Sequence, residues 1–386
     1  VQYLRLDANA TAEVDTLTNT GSLFPMGSLT VSAENDMQGV VVAKSFGAAD
    51  TVAFNGGFGI IDYRGDARAL LSDEAALSIT GGTSINAEDT ARLFAFGGAG
   101  SQSGKVAIGL GAGLIFADRS AIGAVTSADP TMLVDTRQAS IGTDLYLGDL
   151  NITTETGGWS VAGASAGAEG IEDEDAQEPE PDDPDTPEDE SETPKKRGEI
   201  NLPGGLTEER EEENEEGLGE QTTSDETGQG DVADKAFGFA LAADFAGVFG
   251  TNTALSTIAV DSDVELDSLT LDATNSADAV LATGAMIGTG GNIGLAGAMS
   301  ISDVKTEVHA FTLGGTRVLN VGDITISALD DGDLLGAAAG RGGVANTFSL
   351  VGSGTLHLGR SVVGAQIYDS GIEAAGDVSI EAKLEG

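Results

Sequence analysis

The sequence predicts an all-β protein, a parallel β-helix (β-solenoid) of internal repeats about 54 residues long, interrupted by a disordered acidic insertion. Three observations carry this. A short alternating phrase recurs along the chain. Its copies stand at a near-constant interval. One segment that breaks the interval differs from the rest in composition.

The phrase first reads Gly27-Ser28-Leu29-Thr30-Val31-Ser32-Ala33 and last reads Gly376-Asp377-Val378-Ser379-Ile380-Glu381-Ala382. Between them lie Gly322 to Ala328 and Asp267 to Ala273, with looser copies at Gly148 to Thr153 and Thr83 to Ala87. Apolar and polar residues alternate in each, the period of a strand with one buried face. If Val31, Ile85, Ile152, Leu271, Ile326 and Ile380 are equivalent, the gaps are 54, 67, 119, 55 and 54. The gap of 119 exceeds 54 by 65, close to the length of the acidic segment, and the gap of 67 implies an insertion of about 13 around Thr126 to Arg137, where Pro130 sits. A second column, Ile258, Leu313 and Ile367, keeps step at 55 and 54.

Within a period, Gly punctuates stretches rich in Thr, Val and Ile, which excludes a helical repeat. Five or six short strands per period, wound as two or three coils, would give six periods the form of a rod roughly 60 to 85 Å long. Ala279 to Ser302 is uncharged for 24 residues but holds six Gly, and it is read as buried strands, with no membrane span in the chain. Val1 is no initiator Met and no apolar signal segment follows it. The last phrase ends near Gly386 with nothing resembling a capping helix, so further coils of the same polypeptide are expected at one or both ends.

The segment 169–231 holds 26 acidic and four basic residues and six of the eight Pro, a net charge of −22 out of −45. Such a stretch cannot bury enough apolar surface to fold and is expected to loop out. The organisation is therefore solenoid repeats over 1–168, the acidic Pro/Glu-rich insertion over 169–231, and solenoid repeats over 232–386 continuing the same rod. With 63 acidic against 18 basic residues the chain is unsuited to nucleic acid or to anionic lipid. It has no Cys and only two His, which excludes thiolate and three-His metal sites.

Little in the sequence points to chemistry. Ala99 to Val106 and Gly288 to Gly294 each miss the spacing that phosphate-binding loops require. Asp330, Asp331 and Asp333, and separately Asp261 and Asp263, are the candidates for a hard cation such as Ca²⁺, against the simpler reading of Asp/Gly turns. Trp159, the single Trp, lies beside Gly157 and Gly158 and is the candidate for stacking on a sugar ring, against a packing role at the base of the acidic loop. A β-helix enzyme acting on polysaccharide would need clustered carboxylates and a base, but Lys305, His309, Arg317, Arg341 and Arg360 do not align by period. His357 alternates with Leu356 and Leu358 and is read as facing solvent, and His309 as a surface or turn residue.

The phrase Gly376 to Ala382, preceded by Ala/Gly-rich stretches such as Gly336-Ala337-Ala338-Ala339-Gly340, resembles the repeat region of very large secreted bacterial adhesins, the filamentous-haemagglutinin-like and leukotoxin-like exoproteins. The resemblance covers most of the chain outside 169–231. It implies a right-handed β-helix, an outer-membrane export partner in the full-length protein, and no catalytic residues. The expected protein is a non-catalytic segment of an extracellular or bacterial cell-surface adhesin or stalk, attaching to cells, matrix or glycans. The alternatives are a carbohydrate-active lyase or epimerase and a self-assembling surface or filament protein.

Overall fold

A computed structural model describes residues 1–15, 27–72, 74, 77–136, 139, 144–170, 238–288, 292–314, 317–343 and 348–385. The chain begins with β1 (Gln2–Val14), β2 (Leu29–Ala49), β3 (Val52–Leu71), β4 (Thr83–Ser103), β5 (Val106–Val125), helix α1 (Pro130–Thr136) and β6 (Leu145–Gly170). It continues with β7 (Phe239–Ile258), β8 (Asp263–Ile287), β9 (Ile293–Leu313), β10 (Arg317–Val321), β11 (Ile324–Asp330), β12 (Leu334–Arg341), β13 (Phe348–Tyr368), β14 (Gly371–Ala374) and β15 (Val378–Leu384).

Every named pairing is parallel, and the strands form two sheets facing each other. The first sheet runs β1-β3-β5-β7-β9-β13 and the second β14-β10-β8-β6-β4-β2. In the second sheet β10, β11 and β12 are three collinear pieces paired in turn along β8, and β15 continues on β11. The chain thus passes alternately through the two sheets, as in a flattened solenoid. The strands are far longer than the sequence suggested, because the alternation continues through each Gly instead of stopping there. Strands of twenty residues extend about 65 Å, whereas six of them stacked span only about 24 Å. The long dimension therefore follows the strands and not the stack.

The phrase residues stand directly opposite one another. Val31 pairs with Ile85, Ile85 with Ile152, Ile152 with Leu271, Leu271 with Ile326 and Ile326 with Ile380. The second column is displaced at one place, since Thr312 and not Leu313 stands opposite Ile258 and Ile367. Residues 171–231 of the acidic segment lie outside the described residues. On either side of it β5 pairs with β7 and β6 with β8, so the two halves adjoin in both sheets.

The interior changes character along the strands. At one end, here the base, large apolar side chains meet between the sheets, among them Val31, Leu71, Ile85, Ile152, Leu271 and Ile326. Next comes a polar seam. Asn35, Asp89, Thr156, Asn275 and Asp330 stand in register on the inner face of the second sheet, all buried. Arg119 and Asn252 face inward from the first sheet at the same level. Beyond the seam a second apolar cluster holds Ile61, Tyr63, Leu93, Ile115 and Leu281.

At the far end, the tip, most inner positions shrink to Ala, Gly and Ser, with Asp244, Thr283 and Ile287 among them. There the two backbones nearly touch. A Cβ built on Gly59 would lie 2.6 Å from the Phe96 carbonyl oxygen, and one on Gly109 2.5 Å from that of Gly167. Gly113 is pinned by the carbonyls of Ala95 and Gly163. With no room inside, the bulky residues of the alternating pattern face outward. Residues 170 and 238, which flank the acidic segment, both lie at this end.

Candidate interaction surface

The outer face of the first sheet has three zones. At the base it is covered by α1, whose Leu133 packs on Ile122, Leu255, Phe311 and Leu313. In the middle lies a band of ion pairs, including Arg5–Asp7 (2.9 Å), Arg68–Asp66 (2.7 Å) and Arg360–Asp303 (2.9 Å). All are substantially exposed, and such pairs add little stability.

At the tip the same face is apolar. Successive columns across β3, β5, β7, β9 and β13 read Val52, Val106, Phe239, Ile293, Phe348, then Phe54, Ile108, Leu241, Leu295, Leu350. The next reads Gly56, Leu110, Ala243, Gly297, Gly352, followed by Phe58, Ala112, Phe245, Met299, Gly354 and by Ile60, Leu114, Gly247, Ile301, Leu356. No charged residue stands in these five columns. Phe54 is 62% exposed, Leu350 58%, Phe348 51% and Met299 45%, and at the field's margin Phe116 stacks on Phe249 with ring centres 5.5 Å apart. The outer face of the second sheet is more mixed. Val40, Phe94, Val161, Val280 and Leu335 form one apolar column, while nearby Lys44 stands 5.9 Å over the Phe96 ring.

The residues singled out from sequence lie apart. Asp330 is buried in the seam, where its Oδ1 accepts from Asn275 Nδ2 at 2.6 Å. Asp331 and Asp333 are exposed in the turn leading to β12, and the Asp333 amide donates to Asp278. Asp261 lies in the turn before β8, and Asp263 begins that strand paired with Arg317 at 3.3 Å. Because Asp263 and the Asn275 partner of Asp330 are twelve residues apart on β8, the two acidic groups stand about 40 Å from each other. Among the described residues, no three His, Asp or Glu side chains converge as metal ligands.

Trp159 is half-buried on the outer face of β6, in register with Arg92 and Asp278 and eleven residues before the strand's end. It therefore does not stand at the base of the acidic segment. Arg341 stands at the end of β12, opposite Met286, and Lys305 in the charged band pairs with Glu307.

His357 departs from the expectation. It faces inward with its Nδ1 2.7 Å from Ser302 Oγ, while Leu356 and Leu358 face out. It stands at the level of Ile61, Ile115 and Val248, where the facing Gly336 on β12 leaves room for the ring. His309 lies in β9 rather than in a turn. Together with Leu133, Val134, Phe311, Gln366 and Tyr368 it lines a cavity of about 80 Å³, and its burial lowers its pKa.

The interior polar groups were not foreseen as a set. The Asp89 carboxylate accepts from the Tyr63 hydroxyl and from the Ser120 amide at 3.0 Å, and burial raises its pKa. Arg119 donates to Ser160 Oγ at 2.8 Å and to Asn252 Oδ1 at 3.3 Å beside a cavity of about 10 Å³, room for one water. Burial pushes its pKa down, opposed by the Asp89 charge. Asp244, in the thin tip, accepts from the Ala166 amide at 2.7 Å, and burial pushes its carboxyl up to about 7. These groups are enclosed between the sheets, where they fix the structure. The aligned polar column was visible in the sequence only once the strand register was known.

No family model, curated protein or solved structure matches this chain. The most distinctive of its surfaces is the outer face of the first sheet.

Proposed function

We propose that the chain is a non-catalytic segment of a secreted or cell-surface adhesin or stalk, a right-handed β-solenoid whose unit is a coil of about 54 residues. Its place in that reading is extracellular or on a bacterial cell surface, exported with an outer-membrane partner, and its ligands are glycans, matrix or cell-surface proteins. The observation that supports it most is the outer face of the first sheet, which beyond α1 sets a charged band beside an aromatic-rich field on a hydrogen-bonded scaffold. Residues held on long paired strands keep their spacing, which suits the recognition of an extended polymer.

The test incubates the chain with acidic and neutral polysaccharides and with matrix proteins, with and without Ca²⁺, scoring retention and cleavage together. Retention without cleavage is expected, weakened when Arg64, Lys305 and Arg360 of the charged band become Ser. Cleavage of any polymer would overturn the non-catalytic reading. Retention by no ligand would overturn the adhesive one.

A further inference from the structure

We infer that the apolar field at the tip of the first sheet is a self-association surface, on which a second copy of this chain packs face to face. The inference goes beyond the adhesive reading and does not depend on it, since the charged band remains available to a ligand.

Size is the first argument. Each of its twenty-five positions, from Val52 to Ile60 over five strands, occupies about 6.6 Å along the strand and about 4.8 Å across it, so the field measures roughly 33 Å by 24 Å. Its flat area is about 800 Å² per copy, the amount each partner buries in a stable interface of standard size, and above the largest apolar patch of an ordinary monomer.

Relief is the second. The column Gly56, Ala243, Gly297 and Gly352, filled at Leu110 and overhung at Gly56 by the Phe58 ring, forms a furrow beside the ridge of Phe54, Ile108, Leu241, Leu295 and Leu350. A ridge beside a furrow on one face is self-complementary under a two-fold axis, the requirement for a closed dimer. Sheets pack in this way at about 10 Å with interleaved side chains.

Position decides the axis. Because α1 stands on the same outer face at the base, two copies laid base on base would collide. An axis along the stacking direction avoids this, overlapping the tips and projecting the bases in opposite directions. The acidic segment is a poor occupant by comparison, since its net charge of −22 finds no cation in the five apolar columns.

The experiment is sedimentation equilibrium of the full chain from about 10 nM to 100 μM, which covers much of the affinity range of interfaces of this size. The expected result is a concentration-dependent rise to twice the 38.8 kDa chain mass. The variant Phe54→Lys/Met299→Lys/Leu350→Lys should raise the dimer dissociation constant by about 100-fold or more, as loss of central apolar contacts does. These side chains are solvent-exposed, so the unfolding midpoint should hold, and Ser32→Lys on the outer face of the second sheet should leave the dimer unchanged. A wild-type chain that stays monomeric throughout overturns the inference. So does growth beyond the dimer that the triple substitution fails to stop, which would place association at strand edges. Flotation of a monomeric chain with neutral phosphatidylcholine vesicles, abolished by the same substitutions, would assign the field to a lipid surface instead.

Discussion

Gly113 on β5 offers the sharpest test of the thin tip. Replacing it with Ala places a methyl group between two carbonyl oxygens of the opposite sheet, those of Ala95 and Gly163. The methyl carbon would stand 2.6 Å from the Ala95 oxygen, against an ordinary contact of 3.4 Å or more, so the sheets must part by about 0.8 Å at that oxygen alone. Both obstacles are backbone atoms in paired strands, which cannot rotate aside. The cost is therefore expected at the upper end of the range for overpacking, about 3 kcal/mol. Gly167 on β6 is the control. It faces outward, a Cβ there meets nothing within 4 Å, and Gly167→Ala should stabilise by roughly 0.5 kcal/mol through the unfolded chain. Urea unfolding followed by far-UV circular dichroism reads both, with the midpoint interpreted only where the slope is unchanged. If Gly113→Ala falls within about 0.5 kcal/mol of wild type, the sheets are not in backbone contact and the outward turn of Phe54, Leu241 and Leu295 loses its cause.

Two further outcomes follow from the interior. Asp244 is pushed up to about 7 in the folded chain, whereas its ordinary value is 3.8, so from about pH 4 to 7 the folded state holds a proton that the unfolded state has released. Stability should therefore fall as pH rises through that window, by up to about 4 kcal/mol from this group. Asp244→Asn should remove that component, seen as a difference from wild type that widens from pH 4.5 to 7.5 in urea midpoints; a constant difference would refute the assignment. Ile152→Ala at a fully buried column position should cost about 2 to 5 kcal/mol, while Ile380→Ala, 46% exposed in the same column, should cost under about 1 kcal/mol. Equal losses would mean the column is not packed as described.

The column from Val31 to Ile380 was legible because each member is large, apolar and flanked by polar neighbours, and because three of its five gaps agree to within one residue. Strand length was not legible. Gly within β3, β4 and β5 reads locally as a turn, yet here it continues the strand because the opposite backbone occupies the space a side chain would need. The same fact hid the apolar field. Alternation does not say which face is inside, so Ile108, Leu110 and Leu114 could lie on either. The signal was present in the residues between them, Gly109, Gly111 and Gly113, which leave an inner face with no side chains to pack. Asp330 was legible only in part. A carboxylate beside Asp331-Gly332 suggests a turn, and only its register with Asn275 reveals a buried acceptor.

The seam of Asn35, Asp89, Thr156, Asn275 and Asp330 acts as a proofreading device for assembly. In a stack where each strand is templated on the one before it, a slip of two residues keeps the same face inward. At the tip such a slip would set Ala95 or Ala99 where only Gly97 fits beneath the Ala112 carbonyl, a steric check on register. At the seam the same slip of β4 would carry Asp89 away from Tyr63 and the Ser120 amide and into the apolar cluster on either side. A buried carboxylate without its donors costs several kcal/mol, enough to disfavour the misplaced register. One polar position per coil thus edits the register of some twenty.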